Sequence, residues 1–174
     1  YTPSAYSWPS SMTESNQEEL KYEIQRLLKL LKMRTAVYNI ETREGMDGKA
    51  YIMEVSPRGG GNRLSECLRY ATGEDMITNM VKYSVGLSID KVTQRPYQGF
   101  WAEIVLHSNK SGVFKELWIS DEIEKNIVER DLWIKPGKNV RRFMSANEAI
   151  GTLILNFDTA EQTEKVLNNV NSYI

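Results

Sequence analysis

AVYNIETREGMDGKAYIMEVSPRGGGNRLSE, residues 36–66, decides how the rest of the chain is read. Val37 to Thr42 and Lys49 to Val55 are rich in β-formers, and the Asp47-Gly48 pair between them is a hairpin turn signal, so two antiparallel strands are predicted. Side chains alternate with period two, and Glu41 and Glu54 therefore share one face in either of two registers. A turn centred between Met46 and Asp47 sets Asn39 opposite Glu54, with Glu41 one diagonal away. A turn centred on Asp47-Gly48 sets Glu41 facing Glu54 directly.

Cross-strand neighbours lie roughly 4.5 to 8 Å apart, so two bare carboxylates there repel unless a cation sits between them. Magnesium suits such a place, because it takes hard oxygen ligands at about 2.1 Å and shares its remaining positions with water and phosphate. Ser56, two residues past Glu54 on the same face, offers a third oxygen. Arg58 follows at the next alternate position, where a guanidinium can grip phosphate oxygens in bidentate fashion. Gly59, Gly60 and Gly61 then let the backbone approach an anion closely. An acid on a hairpin strand is commonly just a solvated face, and a glycine run is commonly just a turn. Their conjunction carries the reading.

Extended to residues 39–86, NIETREGMDGKAYIMEVSPRGGGNRLSECLRYATGEDMITNMVKYSVG resembles the C-terminal half of an ATP-grasp ligase domain. That family's signature is an acidic strand, a D-G turn, a strand ending E-x-N-P-R, a glycine-containing loop, and a helix closing on T-G-x-D. By this resemblance Glu41 and Glu54 match the magnesium-binding acids, with Asn39 the alternative to Glu41, and Ser56 stands where the family carries Asn. Arg58 matches the arginine on the transferred phosphate; Gly60 lies in the glycine-containing loop before the next helix, whose N-terminus attracts phosphate or a substrate carboxylate over residues 60–62, and Arg63 is the candidate contact for a substrate carboxylate. Ser56 is a departure, since a hydroxyl reaches less far than an amide carbonyl.

The resemblance implies ATP and Mg2+ as cofactors and small carboxylate and amine substrates joined through an acylphosphate. It also implies a first lobe carrying phosphate-holding lysines, a mobile glycine-rich loop and adenine-reading residues. None of these is found before Glu41, so the chain is expected to be the C-terminal part of a longer enzyme, inactive without its N-terminal lobe. Two other readings share the motif: a non-catalytic scaffold that keeps the fold, and a bicarbonate-using enzyme of the carboxylase or carbamoyl-phosphate type.

Composition narrows the setting. With 22 basic and 23 acidic residues among 174, the chain has no general electrostatic pull toward nucleic acid or an anionic membrane. No apolar run approaches the roughly 20 residues needed to span a bilayer. A single cysteine, Cys67, beside Leu64 and Leu68 in a helical stretch, predicts a buried thiol and a reduced, cytoplasmic setting. Oligomeric state is not encoded legibly, and a homodimer is among the states open to the chain.

The fold class expected is α+β: an ATP-grasp C-terminal lobe with an antiparallel sheet flanked by helices over residues 1–90, then a small β-rich C-terminal subdomain over residues 91–174. Residues 1–12 read as an extended segment in which Tyr1, Tyr6 and Trp8 lean on the body. Ser15-x-x-Glu18 reads as a capping box for a helix carrying Leu20, Ile24, Leu27, Leu28 and Leu31. Helices are predicted from Arg63 or Leu64 to about Ala71 and from Glu74 to Val85, the latter with Met76, Ile77, Met80, Val81 and Val85 as its apolar stripe. Phe100 to His107 and Val113 to Ile119 read as a second hairpin around Ser108 to Gly112, and His107, with no ligand partner at metal spacing, as structural or solvent-facing. A short helix at Asp121 to Asn126, strands at Ile127 to Ile134 and Ile150 to Phe157, and a last helix capped by Asp158-Thr159 complete the reading.

Overall fold

The computed structural model describes residues 2–89, 91–93 and 95–174. In chain order the elements are β1 (Ala5–Trp8), α1 (Glu14–Leu30), β2 (Asn39–Glu44), β3 (Ala50–Ser56), α2 (Leu64–Thr72), α3 (Met76–Ser84), β4 (Phe100–Leu106), β5 (Gly112–Val113), α4 (Asp121–Glu124), β6 (Ile127–Leu132), β7 (Asn139–Val140), a 3-10 turn (Ala146–Glu148), β8 (Gly151–Phe157), α5 (Ala160–Asn168) and α6 (Val170–Tyr173). They form two compact units. One comprises Tyr1–Pro9, Asn62–Gly73 and Gln94–Ile174, the other Ser10–Gly61 and Glu74–Thr93. The expected division between residues 90 and 91 therefore runs differently in two places, because β1 and α2 belong with the later sheet. β1 pairs with β4, and α2 covers that sheet's inner residues.

In the first unit the sheet order is β1-β4-β8-β6, antiparallel throughout. One face, carrying Ala102, Ile104, Leu106, Leu153, Leu155 and Phe157, packs on Ile123 of α4, Val166 of α5 and Tyr173. The other face sets Trp101 and Ile154 against Cys67 and Ala71 of α2, with Trp8 and Tyr70 at the margin. Covered on both sides, FWAEIVL and GTLILNF read as continuous apolar runs instead of alternating ones. Each fully buried Leu or Ile in them contributes about 1.5 to 3 kcal/mol. Gly151 is required where β8 meets β6, because a Cβ there would lie 2.3 Å from the Asp131 carbonyl oxygen.

The second hairpin is a correction. β4 pairs with β1 and β8, and of residues 113–119 only Val113 is in a strand, paired through the short β5–β7 ladder. A strand buried on both faces takes two neighbours, and those come from the chain's beginning and end. His107 is structural: its ring stacks on Phe143 at 4.2 Å, and its Nδ1 lies 2.7 Å from the Val105 carbonyl. Tyr6 stacks on Trp8 at 6.2 Å, while Tyr1 lies outside the described residues.

In the second unit α1 begins one residue earlier than its expected cap. Thr13, not Ser15, accepts from the Asn16 amide, and Glu18 pairs with Lys21 instead of returning to a cap. α3 also starts later than predicted, at Met76, where Asp75 Oδ1 accepts from the Thr78 amide and Oδ2 from its hydroxyl. Its expected stripe is not a core seam. Ile77, Val81 and Val85 are exposed, and the buried residue is Asn79. No helix among the described residues is long and apolar enough to cross a membrane.

Candidate functional site

The β2–β3 hairpin is closed by a loop in which the Gly45 amide donates to the Lys49 carbonyl and Gly48, at φ 75°, donates back to Gly45. Only glycine takes that conformation without strain. Asp47 ties the turn down, accepting from the Lys49 amide at 3.1 Å and the Tyr51 hydroxyl at 2.7 Å, and the Tyr51 bond holds its carboxyl below the usual range. Asn16 of α1 reaches the Gly48 carbonyl and Glu44, so the hairpin's tip is pinned.

Beyond that tip the register settles the choice left open by the sequence. Glu41 lies directly opposite Glu54, and Asn39 lies opposite Ser56. A β-bulge follows, since Thr42 pairs with Ile52 and Met53 has no partner across the ladder. The bulge explains how a turn signal at Asp47-Gly48 coexists with a ladder whose two ends are centred differently.

Both carboxylates are exposed. Glu54 Oε1 accepts from the Ser56 hydroxyl at 2.6 Å, and among the described residues neither Glu41 nor Glu54 is ion-paired. Arg58 is exposed, its amide donating to the Ser56 carbonyl and its Nη1 to the Gly59 carbonyl at 2.8 Å. No cluster of three or more His, Cys, Asp or Glu side chains is arranged for a metal among the described residues. The oxygen donors that the hairpin brings together are thus two carboxylates and a hydroxyl. Such a hard, incomplete set suits magnesium, which leaves positions to water and phosphate oxygens.

Arg63, expected to contact a substrate carboxylate, is engaged within the protein. Its guanidinium is ion-paired with Glu129 and lies 3.6 Å from Glu66 and 3.8 Å from Asp131. Tyr70 donates to Glu129 as well, and Trp133 donates to Asp131 at 2.8 Å. The Arg63 amide donates to Glu103 Oε1 at 3.0 Å, at the start of α2. Glu103 is fully buried on β4, its Oε2 has no partner, and burial first of all pushes its carboxyl up to about 7. Sequence reading missed this network. Its one visible signal was a lone acid inside the apolar run FWAEIVL. Cys67, beside it, is buried as expected, and burial pushes its thiol up to about 12.

No protein-family model matches this sequence, and no curated protein matches it either. Solved structures do. An L-amino acid ligase from Bacillus licheniformis superposes with a TM-score of 0.83 at 15% identity, covering 99% of this chain and 43% of its own. Phosphoribosylglycinamide synthetase from Anaerococcus prevotii gives 0.77 at 20% identity, covering 99% and 44%. The biotin carboxylase domain of Hydrogenobacter thermophilus 2-oxoglutarate carboxylase, in complex with MgADP and bicarbonate, gives 0.69 at 14%, covering 98% and 38%.

This chain has the fold of the C-terminal part of an ATP-grasp ligase. It spans about two fifths of the length of those structures. The α+β architecture expected for such a lobe, an antiparallel sheet flanked by helices, is the one found. Glu41, Glu54, Ser56 and Arg58 all sit on β3, its facing strand or the residues that follow at once.

Proposed function

We propose that this chain supplies the magnesium- and phosphate-holding side of an ATP-dependent carboxylate–amine ligase. One observation carries the reading: Glu41 stands opposite Glu54 on an exposed hairpin face, and neither is ion-paired among the described residues. Like charges directly across a ladder destabilise it, and a bound cation would relieve that repulsion. Glu41, Glu54 and Ser56 are the residues that would hold Mg2+, with Asn39 beside them opposite Ser56. When bound, the ion neutralises charge on the β- and γ-phosphates of ATP.

The chain's own residues then have defined tasks. Arg58 holds the γ-phosphoryl group as a substrate carboxylate oxygen attacks phosphorus and the bond to ADP breaks, giving an acylphosphate. Its guanidinium covers the charge spread over the phosphoryl oxygens. The backbone around Gly60 lets those oxygens come close. An amine next attacks the acyl carbon, inorganic phosphate leaves, and the amine's proton passes to solvent or a base. No side chain serves as nucleophile, in keeping with the absence of a Ser-His or Cys-His pair from the sequence reading. The adenine and the α-phosphate are held by a second lobe, in the same polypeptide or another.

Mn2+, a magnesium substitute visible by paramagnetic resonance, tests the site. Titration of the chain should show one class of site that weakens together in Glu41→Gln and Glu54→Gln, with circular dichroism unchanged. Equal Mn2+ affinity in both variants and the parent would sink the assignment.

A further inference from the structure

We propose that the acid this site activates carries an apolar body, and that a cavity of about 720 Å³ beside Arg58 receives it. The inference rests on the ligase reading and names its substrate class. The cavity belongs wholly to the second unit and is of a size typical of small-molecule sites. Its walls include Val37, Met76, Met80, Tyr83, Ile89 and Val92, and its cations are Arg58 and Lys91. No acidic residue lines it among the described residues.

The local sequence accounts for this shape. Asp75 starts α3 so that Met76, Met80 and Tyr83, at helical spacing, turn to the cavity, while Ile77 and Val81 face solvent. Two methionines on one wall make it adaptable, because an unbranched thioether fills irregular gaps. The charge pattern points to an anion: two cations line the cavity, and neither is ion-paired among the described residues. An apolar wall with Arg58 in its lining fits a monocarboxylate whose carbon body enters the cavity while its carboxylate meets that guanidinium. That is also the guanidinium assigned above to the transferred phosphoryl group, so the acid is held where it must react.

The test titrates the chain with 4-phenylbutyrate, with neutral 4-phenylbutyramide and with acetate, following methionine methyl resonances. Phenylbutyrate should bind at least about tenfold tighter than either control, since only it satisfies both wall and cation. Its shifts should centre on Met76 and Met80. Arg58→Met should abolish the preference of acid over amide, and Met80→Glu should weaken phenylbutyrate by about tenfold or more. Three equal affinities, or shifts away from α3, would overturn the cavity proposal even if Mn2+ binds at Glu41 and Glu54. Phenylbutyrate bound as expected, with Mn2+ indifferent to those two acids, would instead remove the ligase reading and leave an acid-binding cavity.

Discussion

Glu41 and Glu54 face each other across β2 and β3, exposed and with no guanidinium or ammonium paired to them among the described residues. Glu66, Glu129 and Asp131 do the opposite: they gather round Arg63, whose side chain is only 21% exposed, while Glu103 takes the Arg63 amide. Both places collect carboxylates, and only one has its cation built in. The comparison teaches that an acidic cluster is read by what already neutralises it. Around Arg63 the acids tie α2 to the sheet strands of their own unit. On the hairpin no such partner is present among the described residues.

The largest test breaks the built-in case. Arg63→Met should destabilise the protein by about 2 to 4 kcal/mol, because removing one partner strands a partly buried Glu129 beside Glu66 and Asp131. Urea unfolding followed by circular dichroism measures it. Arg63→Met/Glu129→Leu should recover much of the loss, since an apolar pair needs no neutralising. An unchanged midpoint in the single variant would show that Arg63 neutralises nothing.

Glu103 gives the next effect, with a defined sign. Its folded carboxyl is raised from 4.5 to about 7, chiefly by burial, with Glu66 adding to the rise and the Arg63 amide and charge opposing it. The folded state thus holds a proton that the unfolded state releases. This contribution is fully present below about 4.5 and is lost as pH climbs to about 7. Glu103→Gln cannot ionise, so it should match the parent near the lower end and exceed it by on the order of 2 to 3 kcal/mol at pH 8. Parallel stability curves for the two proteins would show that Glu103 is not desolvated.

Much of the hairpin was legible beforehand, because period-two alternation and a D-G turn are local signals that put Glu41 and Glu54 on one face. The bulge at Met53 was not, since one extra residue leaves no mark in a pattern of alternating polarity. The partners of β4 were hidden for another reason. FWAEIVL advertises a strand buried on both faces, yet its neighbours, Ala5–Trp8 and Gly151–Phe157, lie far off in sequence. Arg63 failed the same way: Glu129 and Asp131 arrive on β6 through long-range pairing of β6 with β8, which no local spacing encodes. Thr13 and Ser15 both carry a hydroxyl that can cap a helix, so the sequence did not distinguish them, and the structure uses Thr13.

On the hairpin side, Glu54→Gln should weaken Mn2+ by about tenfold or more, since a full ligand charge is lost while the shape is kept. Wild-type affinity would place the ion elsewhere and erase the contrast with Arg63.

The smallest effect separates two roles for Ser56. Its hydroxyl donates to Glu54 Oε1 at 2.6 Å, so it orients the proposed ligand, and its own lone pairs stay free to coordinate. If orientation is its task, Ser56→Ala forfeits one hydrogen bond to a charged group and Mn2+ should weaken by about threefold to tenfold. Ser56→Asn then discriminates further: an amide carbonyl reaches further toward the ion but cannot reproduce the short hydroxyl contact to Glu54. Binding tighter than the parent would mean that direct coordination governs the site. Binding no tighter than Ser56→Ala would mean that holding Glu54 still matters more.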